Sequence, residues 1–135
     1  MSFLKPEESR LCEEARQRLI ESLQAVEFLQ VSPTKAASRL GGERPDFVLR
    51  VAGPFGRRNI VGEFRRSGQP RFLRAGLEQL RKYLADVKDA YGVMAAPYIS
   101  PDGAEVCNRA GVGYCDLPGN CRISFESVFI ERTGR

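Results

Sequence analysis

The stretch that decides the fold runs Arg44-Pro-Asp-Phe-Val-Leu-Arg-Val51, then Gly53-Pro-Phe-Gly56, then Arg58-Asn-Ile-Val-Gly-Glu-Phe-Arg65. The outer segments are apolar and β-prone, and the middle is turn chemistry, so the stretch predicts a hairpin. Side chains alternate faces along a strand. Val61, Glu63 and Arg65 therefore share one face, and Ile60, Gly62 and Phe64 share the other. Asp46 opens the partner strand, so pairing through the 53–56 turn brings Asp46 near Glu63. Two carboxylates that close repel and push one pKa up, unless a cation bridges them. A divalent ion can do so, with one oxygen from each acid and the rest from water and a phosphate.

Working outward, residues 6–24 read as a helix: Pro6 suits its first turn, and Glu7 and Glu8 complement the dipole. Leu11, Ala15, Leu19, Leu23 and Val26 recur at helical spacing. Residues 26–31 read as a short strand and 32–44 as a polar loop carrying Lys35, Arg39 and Arg44. Residues 70–87 read as a second helix with a Leu73, Leu77, Leu80, Leu84 stripe. Beside that stripe Gln79 and Tyr83 are i,i+4 neighbours, and Phe72 and Gly76 continue their face. A buried-type strand at 92–99 follows. Ser100 and Pro101 then start a short helix through Asn108, which Gly111 ends. Strands at 112–116 and 121–125 complete the pattern, with 128–132 extending the last. The order α-β-β-β-α-β-α-β predicts one α/β domain over residues 1–135, with a mixed sheet, open to being the N-terminal domain of a longer protein.

Composition narrows the chemistry. The chain has 135 residues, enough for one core and too few for two. It contains no histidine, which excludes histidine triads, histidine-based nucleases and His-Glu-x-x-His zinc sites. A metal site would be oxygen-rich, favouring Mg²⁺ or Mn²⁺. The four cysteines form no Cys-x-x-Cys pair and are expected as buried free thiols. With no signal peptide and no apolar run of membrane length, a cytoplasmic location is expected. The net charge is +4, yet residues 54–82 hold eight basic against two acidic residues, while residues 1–30 hold four against six. A basic middle of this kind points to an anionic partner.

Pro45-Asp46, Glu63-x-Arg65 and Gln79-x-x-x-Tyr83, in this order of elements, resemble the PD-(D/E)XK nuclease superfamily, and the Gln-x-x-x-Tyr element resembles its RecB-like branch. The resemblance covers roughly residues 7–100. It implies a restriction-endonuclease-like core and a metal-dependent nuclease acting on DNA. It also implies Mg²⁺ or Mn²⁺ on Asp46 and Glu63, with a first-helix glutamate, Glu14 before Glu13, as a further ligand. Gln79 would touch the site, and Tyr83 would support Gln79 or a phosphate. Arg39, Arg44, Arg58, Arg66, Arg71 and Arg74 would hold phosphates. Arg65 stands where the family pattern has Lys. Arginine keeps the charge and can clamp a phosphate, but it cannot act as a base. The alternatives are therefore a nuclease, a nuclease-like module that binds nucleic acid without cutting, and an interaction domain that forms a homodimer through the second helix. No membrane partner is expected.

Overall fold

A computed structural model describes residues 4–33 and 44–134. The elements run α1 (Pro6–Gln24), β1 (Gln30–Pro33), β2 (Phe47–Gly53), β3 (Gly56–Phe64), α2 (Pro70–Asp86), β4 (Ala90–Ala96), α3 (Pro101–Ala110), β5 (Gly113–Asp116), β6 (Cys121–Phe125) and β7 (Val128–Arg132). The strands form one sheet in chain order, β1 to β7. β3–β4 and β4–β5 pair in parallel, and every other pairing is antiparallel. The two parallel steps are the two places where a helix intervenes. A parallel neighbour needs a crossover, and α2 and α3 supply it.

The helices divide between the two faces by residue parity. Ile60 and Phe64 pack with Ala15, Leu19 and Leu23 of α1. Val61 packs with Leu73, Leu77 and Leu80 of α2 and with Cys107 of α3. Leu19, Leu23, Leu73 and Leu80 are fully buried, each contributing about 1.5–3 kcal/mol by removal from water. All four cysteines are free and buried, as expected. Gly62 lets the Phe47 ring lie across the strand, since a Cβ there would stand 2.1 Å from the ring. No described helix is long and apolar enough to cross a membrane.

Caps set the helix ends. The Glu8 carboxylate accepts from Lys5 N at 3.1 Å at the start of α1. Ser100 Oγ accepts from Gly103 N at 3.0 Å at the start of α3, and Gly111 closes that helix in the left-handed region at φ 73°. Two expectations need correction. Residues 26–29 form a turn, closed by Leu29 N donating to Val26 O at 3.1 Å, so β1 starts at Gln30. Residues 128–132 do not extend the preceding strand. Glu126 takes φ 50°, and the chain reverses into the separate strand β7 against β6.

Candidate active site

The site lies where the β2–β3 ladder ends. The last pair is Phe47 with Gly62. Just beyond it Asp46 N donates to Gly62 O at 3.0 Å, and Phe64 N donates to Asp46 Oδ2 at 2.7 Å. These two bonds hold the Asp46 carboxyl beside Glu63, which is only 5% exposed. Asp46 Oδ1 is buried and has no hydrogen-bond partner.

Burial is the main reason both carboxyls titrate high, Glu63 at about 7 and Asp46 at about 6. The Asp46 charge raises Glu63 further, and Arg65 pulls both back down. The two groups are close neighbours, and Glu63 keeps its proton to the higher pH. The predicted proximity of the two acids is thus present.

Arg65 turns back onto this pair. Its Nη1 donates to Glu63 Oε2 at 2.5 Å and to the Phe64 carbonyl at 3.1 Å. Its backbone is fixed by Arg65 N donating to Ala95 O at 2.9 Å. The stem runs against α2 at Gly76, where a Cβ would stand 3.2 Å from Arg65 Cγ and 3.4 Å from Nε. The glycine thus gives the arginine its room.

Gln79 and Tyr83 act one step back from the carboxyls. Gln79 Nε2 donates to the Tyr83 hydroxyl at 2.9 Å, and that hydroxyl donates to the Arg44 carbonyl at 2.9 Å. Tyr83 is buried. The pair therefore pins the backbone two residues before Asp46. Removing the hydroxyl in Tyr83→Phe leaves the Arg44 carbonyl without its donor, and we expect a loss of about 1–2 kcal/mol in urea unfolding with the fold intact.

Other predicted residues sit elsewhere. Glu14 lies on the outer face of α1, ion-paired with Arg10 at 3.0 Å, and Glu13 pairs with Arg16 at 2.8 Å. Successive helix residues turn by about 100°, so with Cys12 and Ala15 buried, position 14 points outward. On α1 the buried Cys12 feels the pair: its thiol is pushed up to about 12, by burial first and then by Asp46. The helical spacing of Cys12 with Ala15 and Leu19 was the available signal for its inward position. Arg58 stacks on Phe55 and pairs with Glu126 at 2.7 Å, near the hairpin turn and away from the carboxyls. Arg66, Arg71 and Arg74 are exposed around the start of α2 and make no ion pair among the described residues. The Arg66 and Arg71 guanidinium groups lie 5.7 and 5.0 Å from the Phe72 ring centre. Arg39 lies outside the described residues.

No group of three or more His, Cys, Asp or Glu side chains with metal-ligating geometry occurs among the described residues. The residues present still fit a small hard cation. A buried carboxylate oxygen without a donor faces a second carboxyl, and Mg²⁺ commonly takes one or two carboxylates, leaving its other positions to water and phosphate.

No family model matches the chain, and no curated protein matches it. Among solved structures it is similar to a repair endonuclease from Pyrococcus abyssi, with a TM-score of 0.52 at 13% identity, over 87% of this chain and 49% of that one. It is also similar to the EndoMS protein of a complex with double-stranded DNA, with a TM-score of 0.42 at 17% identity, over 77% of this chain and 44% of that one. The chain thus spans about half the length of the repair endonuclease. The likeness to the repair endonuclease bears out the fold class: a mixed sheet flanked by helices, with the restriction-endonuclease-like architecture.

Proposed function

We propose that this chain, built on the restriction-endonuclease-like fold, is a metal-dependent nuclease that hydrolyses phosphodiester bonds in DNA. The observation that carries the reading is the pair of adjacent buried carboxyls, Asp46 and Glu63, with Asp46 Oδ1 lacking any donor. An arrangement that holds two acids together at this cost in repulsion is suited to a cation. Asp46 and Glu63 would hold Mg²⁺ or Mn²⁺, which when bound activates a water and offsets charge building on the phosphate.

The chain's own residues supply the rest. Phe64 N fixes the Asp46 carboxylate. Gln79 and Tyr83 fix the backbone that carries it. Arg65 would clamp an oxygen of the scissile phosphate, and its permanent charge excludes it as the base. Arg66, Arg71 and Arg74 would hold neighbouring phosphates, and that binding would weaken steeply with salt.

Cleavage of supercoiled plasmid in Mg²⁺ or Mn²⁺ tests this. Asp46→Ala and Glu63→Ala should each lower the rate by about 100-fold or more, the scale expected when an electrostatic element of a site is lost. Arg65→Lys should raise it, because lysine can also hold the attacking water. Wild-type activity no greater than that of the two alanine variants would refute the proposal.

One observation favours a second reading, a module that binds nucleic acid without cutting. Arg65 Nη1 already occupies Glu63 Oε2 and the Phe64 carbonyl. Salt-dependent DNA binding with no metal-dependent cleavage is the outcome that supports it.

A further inference from the structure

The contact between Arg65 and Glu63 does more than fill space. Glu63 Oε2 and the Phe64 carbonyl converge on one cationic nitrogen, at 2.5 and 3.1 Å. Two oxygens aimed at one point of positive charge form the same half-shell that a metal ion uses, and here a guanidinium holds it. Asp46 Oδ1, buried and without a donor, belongs to the carboxyl beside Glu63. The arginine is 27% exposed at its side chain, against 7% for Glu63, so its outer edge can reach a ligand while the acid cannot. Among the described residues only Nη1 makes a hydrogen bond, which leaves Nε and Nη2 for another acceptor. Gly76 lets the stem lie close against α2, with no side chain of its own to hold the arginine there.

We propose that Arg65 couples phosphodiester binding to cation binding: its guanidinium stands in for the ion on Glu63 and the Phe64 carbonyl, and a phosphate that draws it outward frees those oxygens for Mg²⁺ or Mn²⁺. The inference rests on the nuclease reading above, and names how its site is loaded. A cation and the inward guanidinium exclude one another, because they need the same oxygens. A phosphate competes with Glu63 Oε2 and the Phe64 carbonyl for the guanidinium that donates to them. Each ligand therefore relieves the obstacle to the other, and the coupling must be reciprocal. The exposed Arg66, Arg71 and Arg74 around the start of α2 give the phosphate chain a place to lie beside Arg65. The site would load weakly from free cation alone and tightly once a nucleic-acid strand arrives.

The test is Mn²⁺ affinity, read from loss of the free-ion EPR signal, with and without a short phosphorothioate oligonucleotide that keeps its charge and resists hydrolysis. Wild type should bind Mn²⁺ weakly alone and about 10-fold more tightly with the oligonucleotide, a coupling of ordinary size. Arg65→Ala should bind Mn²⁺ about 10-fold more tightly than wild type without the oligonucleotide, and gain less than about 2-fold from adding it. Arg65→Gln keeps the stem over Gly76 and should behave as the alanine variant does, which guards against a folding defect. Equal Mn²⁺ affinity in wild type and both variants would overturn the coupling, as would an undiminished gain from the oligonucleotide in either variant. Asp46→Asn should abolish Mn²⁺ binding throughout, and binding that survives it would place the ion elsewhere and overturn the inference. Coupling without cleavage would refute the nuclease reading alone. Cleavage without coupling would refute this inference alone.

Discussion

Asp116→Ala is expected to destabilise the protein by about 3–5 kcal/mol, the largest loss from any polar substitution in the chain. Asp116 ends β5 and has no exposed surface. Its carboxylate accepts four hydrogen bonds. Oδ2 takes Ile99 N at 2.9 Å and Asn120 Nδ2 at 2.8 Å. Oδ1 takes Gly119 N at 3.1 Å and Asn120 N at 2.7 Å. The first of these ties the β4–α3 connection to the β5–β6 loop. Asn120 Oδ1 in turn accepts from Gly134 N at 2.8 Å, so the C-terminal end hangs on the same knot. Truncation would leave four donors without their acceptor, the buried Ile99 N among them, and each such loss costs up to about 1–3 kcal/mol before relaxation. Asp116→Asn keeps the shape but presents an amide N–H₂ to donors, so about half of the loss is expected. Urea unfolding at pH 7 checks both. A loss below about 1 kcal/mol for the alanine variant would mean that the loop finds other partners.

Glu63→Gln is expected to act in the opposite sense and stabilise the metal-free protein at pH 8 by about 1–3 kcal/mol. Glu63 titrates at about 7 in the fold, against 4.5 for the ordinary group, and Asp46 at about 6 against 3.8. Burial is the first cause for both. The folded chain therefore retains protons that the unfolded chain has already released. Stability is greatest where both states are protonated, below about pH 4, and falls as pH rises from there to about 7. Above that the full cost of holding both charges in a buried place is present. A neutral glutamine removes the charge, yet its carbonyl can still accept from Arg65 Nη1. The gain should thus be full at pH 8, shrink through the window and vanish near pH 4. Thermal unfolding in chelator at several pH values measures it. A variant less stable than wild type at pH 8 would show that the Arg65 ion pair outweighs the repulsion.

Much of the fold was readable because its signals are local. Proline and acids at the start of α1, the leucine stripe of α2, and the Ser100–Gly111 cap pair of α3 are each decided within a few residues. The hairpin that joins Asp46 to Glu63 was readable for the same reason, since turn chemistry and period two suffice to pair β2 with β3. The errors fell where tertiary context decides. Residues 26–31 carry a β-like pattern, but the chain must first turn after α1 to reach the sheet edge. Nothing in the run from 121 to 132 forces a reversal except the backbone at Glu126, and a left-handed glutamate leaves no clear mark in a sequence.

The site was legible in part. Asp46 and Glu63 follow from register. The inward face of α1 was marked by Ala15 and Leu19, and the same spacing indicates Cys12, which leaves Glu14 outside. Arg65 was recognisable as a departure from the family pattern. Its turn back onto Glu63 was not, because a long flexible side chain has no periodicity to betray its direction. The role of Tyr83 was hidden for another reason. Its partner is the backbone carbonyl of Arg44, and backbone acceptors are the same at every position.

The central claim is that Asp46 and Glu63 form a cation site. Anomalous diffraction from crystals soaked to saturation in Mn²⁺ tests it most directly. A cation site there puts a peak about 2.1 Å from Asp46 Oδ1 and within ligand distance of the Glu63 carboxylate, with Arg65 moved off Glu63 Oε2. A saturated soak that shows Mn²⁺ only at surface acids, with Arg65 still bonded to Glu63, would contradict it.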